Sequence, residues 1–458
     1  MPHRVLFVFC LAMSAGFASM SLLGTCCEAN NQQPPNVVLI VADDLGYGDV
    51  GCYGSTLNRT PHIDSLAASG VRFTDFHSAG PMCSPTRAAM LTGQYQQRFG
   101  RLFDTAISGV RDRERGLPLK AVTIAELLKQ KGYATACFGK WHLGYKPPWL
   151  PTSQGFDVFR GLGSGDGDFH THIDRSGNED WWHNDRIELV EGYTTDLLTR
   201  YSLDFIEAHR DKPFFLYMPH LAIHFPWQGP ADPPHRRKGN SYHDDKWGVI
   251  PDPANVQPHV RAMIQSLDAS VGRIVAALKQ RKLDTNTLII FTSDNGGYLT
   301  YGKQFRNISS NGRLRGAKGQ LYEGGHRVPT IVSWTGKMTP AVTDAIAHST
   351  DLLPTIATLA DLDEKSYSTD GVDLGPLLFH GKALPDRMLF WRARTQRAVR
   401  NGPWKLYQNG KRTELYNLYD DIAEKHDMSK AEPDVVKRLS KSWAQWETEV
   451  NRSAAEYE

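Results

Sequence analysis

The sequence predicts an α/β protein: a large mixed, mostly parallel sheet flanked by helices, followed by a small C-terminal subdomain of antiparallel sheet plus helix. Three observations predict it. Two apolar runs, 37–42 and 288–293, each stop at acidic residues, as buried parallel strands do when ligands gather at their carboxyl ends. Around them, strand-like runs alternate with amphipathic helical stretches, the pattern of a sheet covered on both faces. Beyond about Pro385 the pattern changes to short strands and one last helix.

The elements follow in order. The chain opens with His3 and Arg4, runs apolar through 5–13 and stays small or apolar to about Gly24, so residues 1–28 read as a secretory signal excluded from the fold. A secreted or periplasmic protein without a transmembrane span is expected. Leu23, Gly24, Thr25 and Cys26 faintly resemble a lipobox, but threonine before the cysteine disfavours lipid attachment. The catalytic domain is expected over 29–384. Its first strand, 37–42, leads into Asp43 and Asp44. Gly80 and Pro81 precede a helix with Cys83 at its N-cap and Pro85 in its first turn. Helices over 123–129, 194–209 and 260–282 alternate with strands over 135–139 and 213–218. The run 288–293 ends at Asp294, Asn295, Gly296 and Gly297, and Asp351 begins the last helix of this domain. The subdomain, 385–458, is expected to hold strands over 388–393 and 404–407 and a helix from about Pro433.

Composition excludes some classes. The 458 residues are 40% hydrophobic and 22% charged, enough for a sizeable core. With 52 basic against 50 acidic residues the net charge is +2, so no global field favours nucleic acid, and affinity for an anionic substrate must be local. Six cysteines are too few and scattered for a disulfide framework. Cys10 falls in the signal, Cys26 and Cys27 lie near its end, and Cys52 and Cys137 read as small core residues.

Chemistry concentrates at a few positions. Cys83 at a helix start faces free N–H groups and a dipole that favour an anion, and Arg87, four residues on, shares its face with a fork suited to an oxyanion. Asp43, Asp44, Asp294 and the Asn295 amide oxygen make a hard, oxygen-only cage suited to Ca²⁺ or Mg²⁺. Thiolate is soft and that cage is hard. A cysteine aimed at it makes sense if its sulfur is replaced by oxygen before the enzyme works.

The stretch Cys83, Ser84, Pro85, Thr86, Arg87 resembles the Cys-x-Pro-x-Arg signature of the type I sulfatases. The likeness extends in order through the blocks at 36–46, 139–144, 294–296, 316–319 and 323–329. The resemblance implies an alkaline phosphatase-like fold and a sulfatase whose Cys83 becomes formylglycine (3-oxoalanine), made by a separate formylglycine-generating maturation enzyme. It implies that Asp43, Asp44, Asp294, Asn295 and the converted Cys83 hold one calcium ion, with Mg²⁺ the lesser candidate, and that Arg87 steadies the aldehyde hydrate. Lys140 and His142, two apart in a strand-like segment, are expected on one face. Lys140 would bind sulfate, and His142 would exchange a proton with the hydrate.

His224 resembles the histidine of the family's Pro-His-x-Pro block, although Ile223 stands where proline is common. It is expected to bind sulfate or the leaving group, with His220 a neighbouring candidate. Lys318 would be the second sulfate-binding lysine, while Glu323, Arg327 and Arg315 are expected to brace the loop. One hydroxyl of the hydrate attacks sulfur in the mechanism the family implies; the alcohol leaves, and the second hydroxyl then expels sulfate.

Two inserts are expected to shape the pocket. The glycine-rich loop 161–170 precedes Trp181 and Trp182, whose faces either stack on the sugar of a sulfated carbohydrate or pin the loop. Arg236, Arg237 and Lys238 either meet a polyanion or form a solvated loop. Two other readings use the same residues: a phosphonate monoester or phosphodiester hydrolase on the same scaffold, and a catalytically silent sulfated-glycan-binding protein.

Overall fold

The computed structural model describes residues 33–242, 255–302 and 304–457; the signal segment with Cys10, Cys26 and Cys27 lies outside them. Five neighbouring parallel strands form the middle of a ten-stranded sheet: Thr287–Ser293, Asn36–Ala42, Phe214–Pro219, Ala134–Lys140 and Val158–Leu162. Thr330–Ser333 runs antiparallel beside Thr287–Ser293, and Trp182–His183 runs antiparallel beside Val158–Leu162. The sheet is thus mixed and mostly parallel, as the apolar runs predict.

The first strand shows why these residues make a central strand. All seven of its residues are buried, and it pairs on both edges. Val37, Leu39 and Val41 enter one core and Val38, Ile40 and Ala42 the other, because side chains alternate across a strand. The first core holds the helices Cys83–Thr92, Ile124–Gln130 and Leu352–Leu359 through Met90, Leu128 and Ile356. The second holds Thr194–Ala208 and Gln257–Gln280 through Phe205 and Leu267. Thr123 caps its helix by accepting from Glu126 N at 3.2 Å while the Glu126 carboxylate accepts from Thr123 N at 2.8 Å.

Three sequence expectations need correction. Met82, not Cys83, is the N-cap, so Cys83 is the first helical residue. Leu352–Leu359 is not the last helix before the C-terminal sheet, because Gly375–His380 follows it. The strand expected to carry both Lys140 and His142 stops at Lys140, and His142 adopts a left-handed backbone with φ 56°.

The C-terminal sheet has four antiparallel strands, Met388–Ala393, Gln396–Asn401, Trp404–Asn409 and Arg412–Asn417. The helix Pro433–Ala454 covers one face, burying Leu439, Trp443, Trp446 and Val450 against Val399, Leu406 and Leu415. The opposite face packs Tyr407 and Tyr416 on Leu321 and Tyr322. That contact ties the C-terminal sheet to the loop that carries Lys318.

Candidate active site

The carboxyl ends of the parallel strands converge. Asp43 and Asp44 follow Asn36–Ala42, and Asp294 and Asn295 follow Thr287–Ser293. Asp294 N donates to Ala42 O at 3.1 Å, which locks the two ends together, and Asp43 N donates to Ala222 O at 2.8 Å, which ties them to the segment that carries His224. Asp44 turns its carboxylate back with φ 62°, a conformation that aspartate tolerates better than most residues. Asp43, Asp44 and Asp294 bring a carboxylate oxygen each within 4.8 Å of one another. Burial, then Asp294, pushes the Asp43 carboxyl up to about 8.

The cage oxygens fit a hard cation. Asp43 Oδ1, Asp44 Oδ2 and Asn295 Oδ1 are buried without a hydrogen-bond partner, while Asn295 Nδ2 donates to Asp44 Oδ1 at 2.8 Å and so fixes the amide oxygen on the other side. Three orphaned oxygens at one point are costly unless something positive meets them.

Cys83 stands beside this cage: its sulfur, a ligand atom of His224 and one of Asp43 lie within 4.8 Å of one another. Burial raises the thiol's pKa despite the nearby Lys140 and Lys318. Arg87 is fully buried one turn along. Its Nε donates to Asp294 Oδ2 at 2.9 Å and its Nη1 to Lys140 O at 2.8 Å. The guanidinium therefore braces a carboxylate of the cage and the end of a strand.

Lys140 Nζ pairs with Asp43 Oδ2 and Lys318 Nζ with Asp44 Oδ1, at 2.5 and 2.6 Å. Lys318 also lies 3.5 Å from Cys83 Sγ and over the Tyr298 ring. Burial is the largest single influence and opposes its charge, but Asp44, Cys83, Tyr298 and Asp43 together overcome it and hold the amine well above its usual range. Burial, then Lys140, holds both His142 and His224 well below the usual histidine range, so both imidazoles are neutral. His142 Nε2 lies 3.0 Å from Ile107 O, so it is the N–H, and the unpartnered Nδ1 is an acceptor. His224 Nδ1 donates to Phe225 O at 2.8 Å, and Nε2 lies 3.7 Å from Asp44 Oδ2. Of the two candidates, His224 lines the cavity with Cys83, and His220 is buried and does not.

That cavity, of about 280 Å³, opens over Cys83, His142, His224 and Lys318. Loop 161–170 contributes Ser164, Gly165 and Asp166 to it, as expected. Trp181 and Trp182 are not among its lining residues: Trp181 is 2% exposed in a core, and Trp182 Nε1 donates to Asp180 at 2.7 Å. They pin the loop. Arg236 is likewise turned inward, fully buried against Asp166, and Lys238 pairs with Glu179. Sequence reasoning missed the walls: Ile107 to Val110 with Tyr145 on one side, and Arg175, Phe225, Tyr298 and Tyr301 on the other. Phe225 and Tyr298 directly follow singled-out segments, but nothing in their spacing marks them as pocket residues.

Glu323, Arg327 and Arg315 do brace the loop. Glu323 pairs with Arg327 at 3.1 Å and with Lys405 at 2.9 Å, and Arg315 Nη1 donates to Tyr416 Oη at 2.9 Å. Gly296 N donates to Gly325 O at 3.0 Å, which joins that brace to the metal cage.

The comparisons with known proteins agree with this geometry. The sulfatase family model matches residues 35–362. Arylsulfatase A of Homo sapiens is 36% identical over 403 residues, covering 82% of this chain and 75% of its own. N-acetylgalactosamine-6-sulfatase of Sus scrofa is 33% identical over 399 residues, covering 82% and 72%. Among solved structures, Ps i-CgsB in complex with k-i-k-neocarrahexaose is similar with a TM-score of 0.79 and 31% identity, over 92% of this chain and 94% of that one. The phosphonate monoester hydrolase of Agrobacterium radiobacter, 19% identical with a TM-score of 0.63, shares the fold, an alkaline phosphatase-like scaffold. Because the family match runs from the first strand past both strand-end clusters, and named sulfatases are similar over four fifths of the chain, this protein belongs to the sulfatase family and is a sulfuric ester hydrolase.

Proposed function

We propose that this chain is an exported enzyme that hydrolyses sulfate esters of a carbohydrate, using formylglycine made from Cys83 by a maturation enzyme and one Ca²⁺ held by Asp43, Asp44, Asp294 and Asn295. The observation that carries this reading is the trio of orphaned buried oxygens beside Cys83, on Asp43, Asp44 and Asn295. An all-oxygen donor set suits calcium, and magnesium is the second choice. When present, the cation and the converted residue 83 would supply charge stabilisation and an oxygen nucleophile.

The chain's own residues do the rest. Lys318 carries positive charge to the Cys83 end of the cavity and Lys140, buried against Asp43, adds to it, so that both neutralise charge on the oxygens of a bound sulfate ester. His224 lies in the same end, placed for the sulfate or for the leaving alcohol. Nδ1 of His142 is an acceptor in the cavity that Cys83 lines, so it can take a proton from an oxygen borne by residue 83. Arg87 keeps the Asp294 carboxylate oriented.

Carbohydrate is supported by a cavity with aromatic walls and by similarity to an enzyme solved with a neocarrahexaose. Export is supported by the apolar segment within 1–28; no helix among the described residues is long and apolar enough to cross a membrane. We assign 29–384 to catalysis and 385–458 to the C-terminal subdomain. The test is turnover of 4-nitrocatechol sulfate against matched aryl phosphate and phosphonate esters, by protein made with a maturation enzyme. Calcium-dependent turnover confined to the sulfate is expected. Preferential turnover of the phosphorus esters would transfer the assignment to the phosphonate or phosphodiester reading, and silence toward every ester would favour a glycan-binding protein.

A further inference from the structure

We propose that a basic groove on the C-terminal subdomain, beside the catalytic cavity, binds sulfate groups of a saccharide chain other than the one that is cleaved. The inference rests on the sulfatase reading of the catalytic site and adds a second binding site to it.

The groove has a volume of about 450 Å³ and shares no described lining residue with the cavity over Cys83. Arg101, Arg392, Arg394 and Arg397 line it against one acidic residue, Glu447. Asp104 stands behind, pairing with Arg101 at 3.3 Å and with Arg392 at 2.9 Å. Four guanidiniums thus meet two carboxylates, and two positive charges are left over. Arg394 and Arg397 are exposed and pair with no described carboxylate.

The cluster is held in place. Arg392 is 3% exposed; its Nε donates to Asp104 Oδ1 and its Nη1 to Asn451 Oδ1, both at 2.9 Å. Its Nη2 makes no hydrogen bond with a described residue, which leaves that end of the fork for an acceptor in the groove. Arg397 lies over the Trp443 ring, 4.3 Å from its centroid, a contact that sets the plane of the guanidinium and keeps its edge for an oxyanion. Arg394 sits in the two-residue loop between Met388–Ala393 and Gln396–Asn401 with φ 56°, where such hairpins favour asparagine, aspartate or glycine. Arginine brings nothing to that turn except a charge at its tip.

Two links put the groove next to the catalytic cavity. Asp104 precedes Ala106 of the cavity lining by two residues. Gln396, beside Arg397, donates through Nε2 to Gly319 O at 2.8 Å, directly after Lys318. Sulfate esters keep their charge, and arginine forks suit them. Nucleic acid is disfavoured, because none of the described lining residues is aromatic and bases would find no face to stack on.

Binding is read apart from turnover by calorimetry on calcium-loaded full-length protein carrying Cys83→Ala. The probes are octasaccharides of chondroitin 6-sulfate and of ι-carrageenan, with N-acetylgalactosamine 6-sulfate and galactose 4-sulfate as single-anion counterparts. At least one octasaccharide is expected to bind about 10-fold or more tightly than its counterpart. Arg394→Gln together with Arg397→Gln should shrink that ratio about 5-fold or more, the size of two partly screened contacts, and the paired lysine variant should fall between. Equal affinity of octasaccharide and counterpart, no octasaccharide binding, or an unchanged ratio in the glutamine variant would overturn the proposal. A single-stranded DNA octamer that binds as tightly as the octasaccharides, and weakens in the same variant, would assign the groove to phosphate polyanions and overturn the saccharide. Absence of aryl sulfate hydrolysis by the converted wild-type enzyme would instead count against the sulfatase reading, so the two failures are distinguishable.

Discussion

Two buried clusters of charge, joined through the turn Glu323–His326, use the same residue types to opposite ends. At the strand ends Asp43, Asp44 and Asp294 stand against Arg87, Lys140 and Lys318. Beneath the C-terminal sheet Asp75, Glu323 and Glu424 stand against Arg327, Arg400 and Lys405. Both are formally balanced. In the second cluster every carboxylate oxygen has a hydrogen bond or an ion pair: Asp75 meets His77 and Arg400, Glu323 meets Lys405 and Arg327, and Glu424 meets the Glu323 backbone N–H through one oxygen and the Lys405 charge, without a hydrogen bond, through the other. In the first, three oxygens meet none. A closed buried network holds structure and is costly to break. An open one keeps acceptor capacity for a cation and anion capacity on its lysines for a substrate. Balance of charge therefore does not distinguish a scaffold from a site; satisfaction of the oxygens does.

Substitutions should separate the two clusters. Cys83→Ala should cut sulfate release by at least about 10³-fold, the scale of losing a nucleophile, while costing no more than about 1 kcal/mol of stability; paired turnover and denaturant titrations check both halves. Lys405→Met should do the reverse in kind. Removing one partner of a buried ionic network costs about 3–5 kcal/mol, so the denaturation midpoint should collapse, and a near-neutral midpoint would break the comparison.

A smaller effect is expected at Gly165. A Cβ there would lie 2.5 Å from Cε1 and Nε2 of the His142 ring. Gly165→Ala should shift that imidazole and slow turnover by about 10–100-fold, the cost of misplacing a reacting group by an ångström or so. Unaltered kcat with a normally folded variant would remove His142 from the chemistry.

The mildest test concerns the loop above the site. Asp180 accepts from Gly163 N at 3.2 Å and Ser164 N at 2.9 Å, and burial, then Asp174, pushes its carboxyl up to about 7 from 3.8. A carboxyl raised by folding binds its proton more tightly in the native state, so its contribution to stability is greatest below pH 4 and is lost as pH rises through 7. Asp180→Asn should flatten the decline in stability between pH 4 and 7 relative to the parent. Parallel declines in urea midpoint would refute that assignment.

The strand-end residues were legible because each acidic cluster directly follows the apolar run that positions it. Cys83, Lys140, His142, His224 and Lys318 were legible from short local motifs; the fold brings all but Lys140 to the lining of one cavity and pairs Lys140 with Asp43 beside it. The roles of Arg87 and His142 were less so. The partner of Arg87 is 207 positions away, and the left-handed backbone at His142 leaves no mark on residue type. Trp181 and Trp182 left two readings open, stacking on sugar or pinning the loop, because aromatic character does not say which face is covered. Two strands of the C-terminal sheet, Gln396–Asn401 and Arg412–Asn417, escaped notice because arginines and a glutamate interrupt their apolar alternation, and those same charges complete the buried network and its surroundings. Pocket walls were the least legible, since Arg175, Phe225 and Tyr301 meet only after folding.

The central claim is that the open cluster serves an oxygen nucleophile made from Cys83, and the intact mass of the tryptic peptide containing Cys83, from protein made with a maturation enzyme, tests it most directly. The account predicts the mass of the aldehyde or its hydrate, in a preparation that releases sulfate only with calcium. A persistent unmodified thiol in a preparation that still turns over sulfate esters would contradict it.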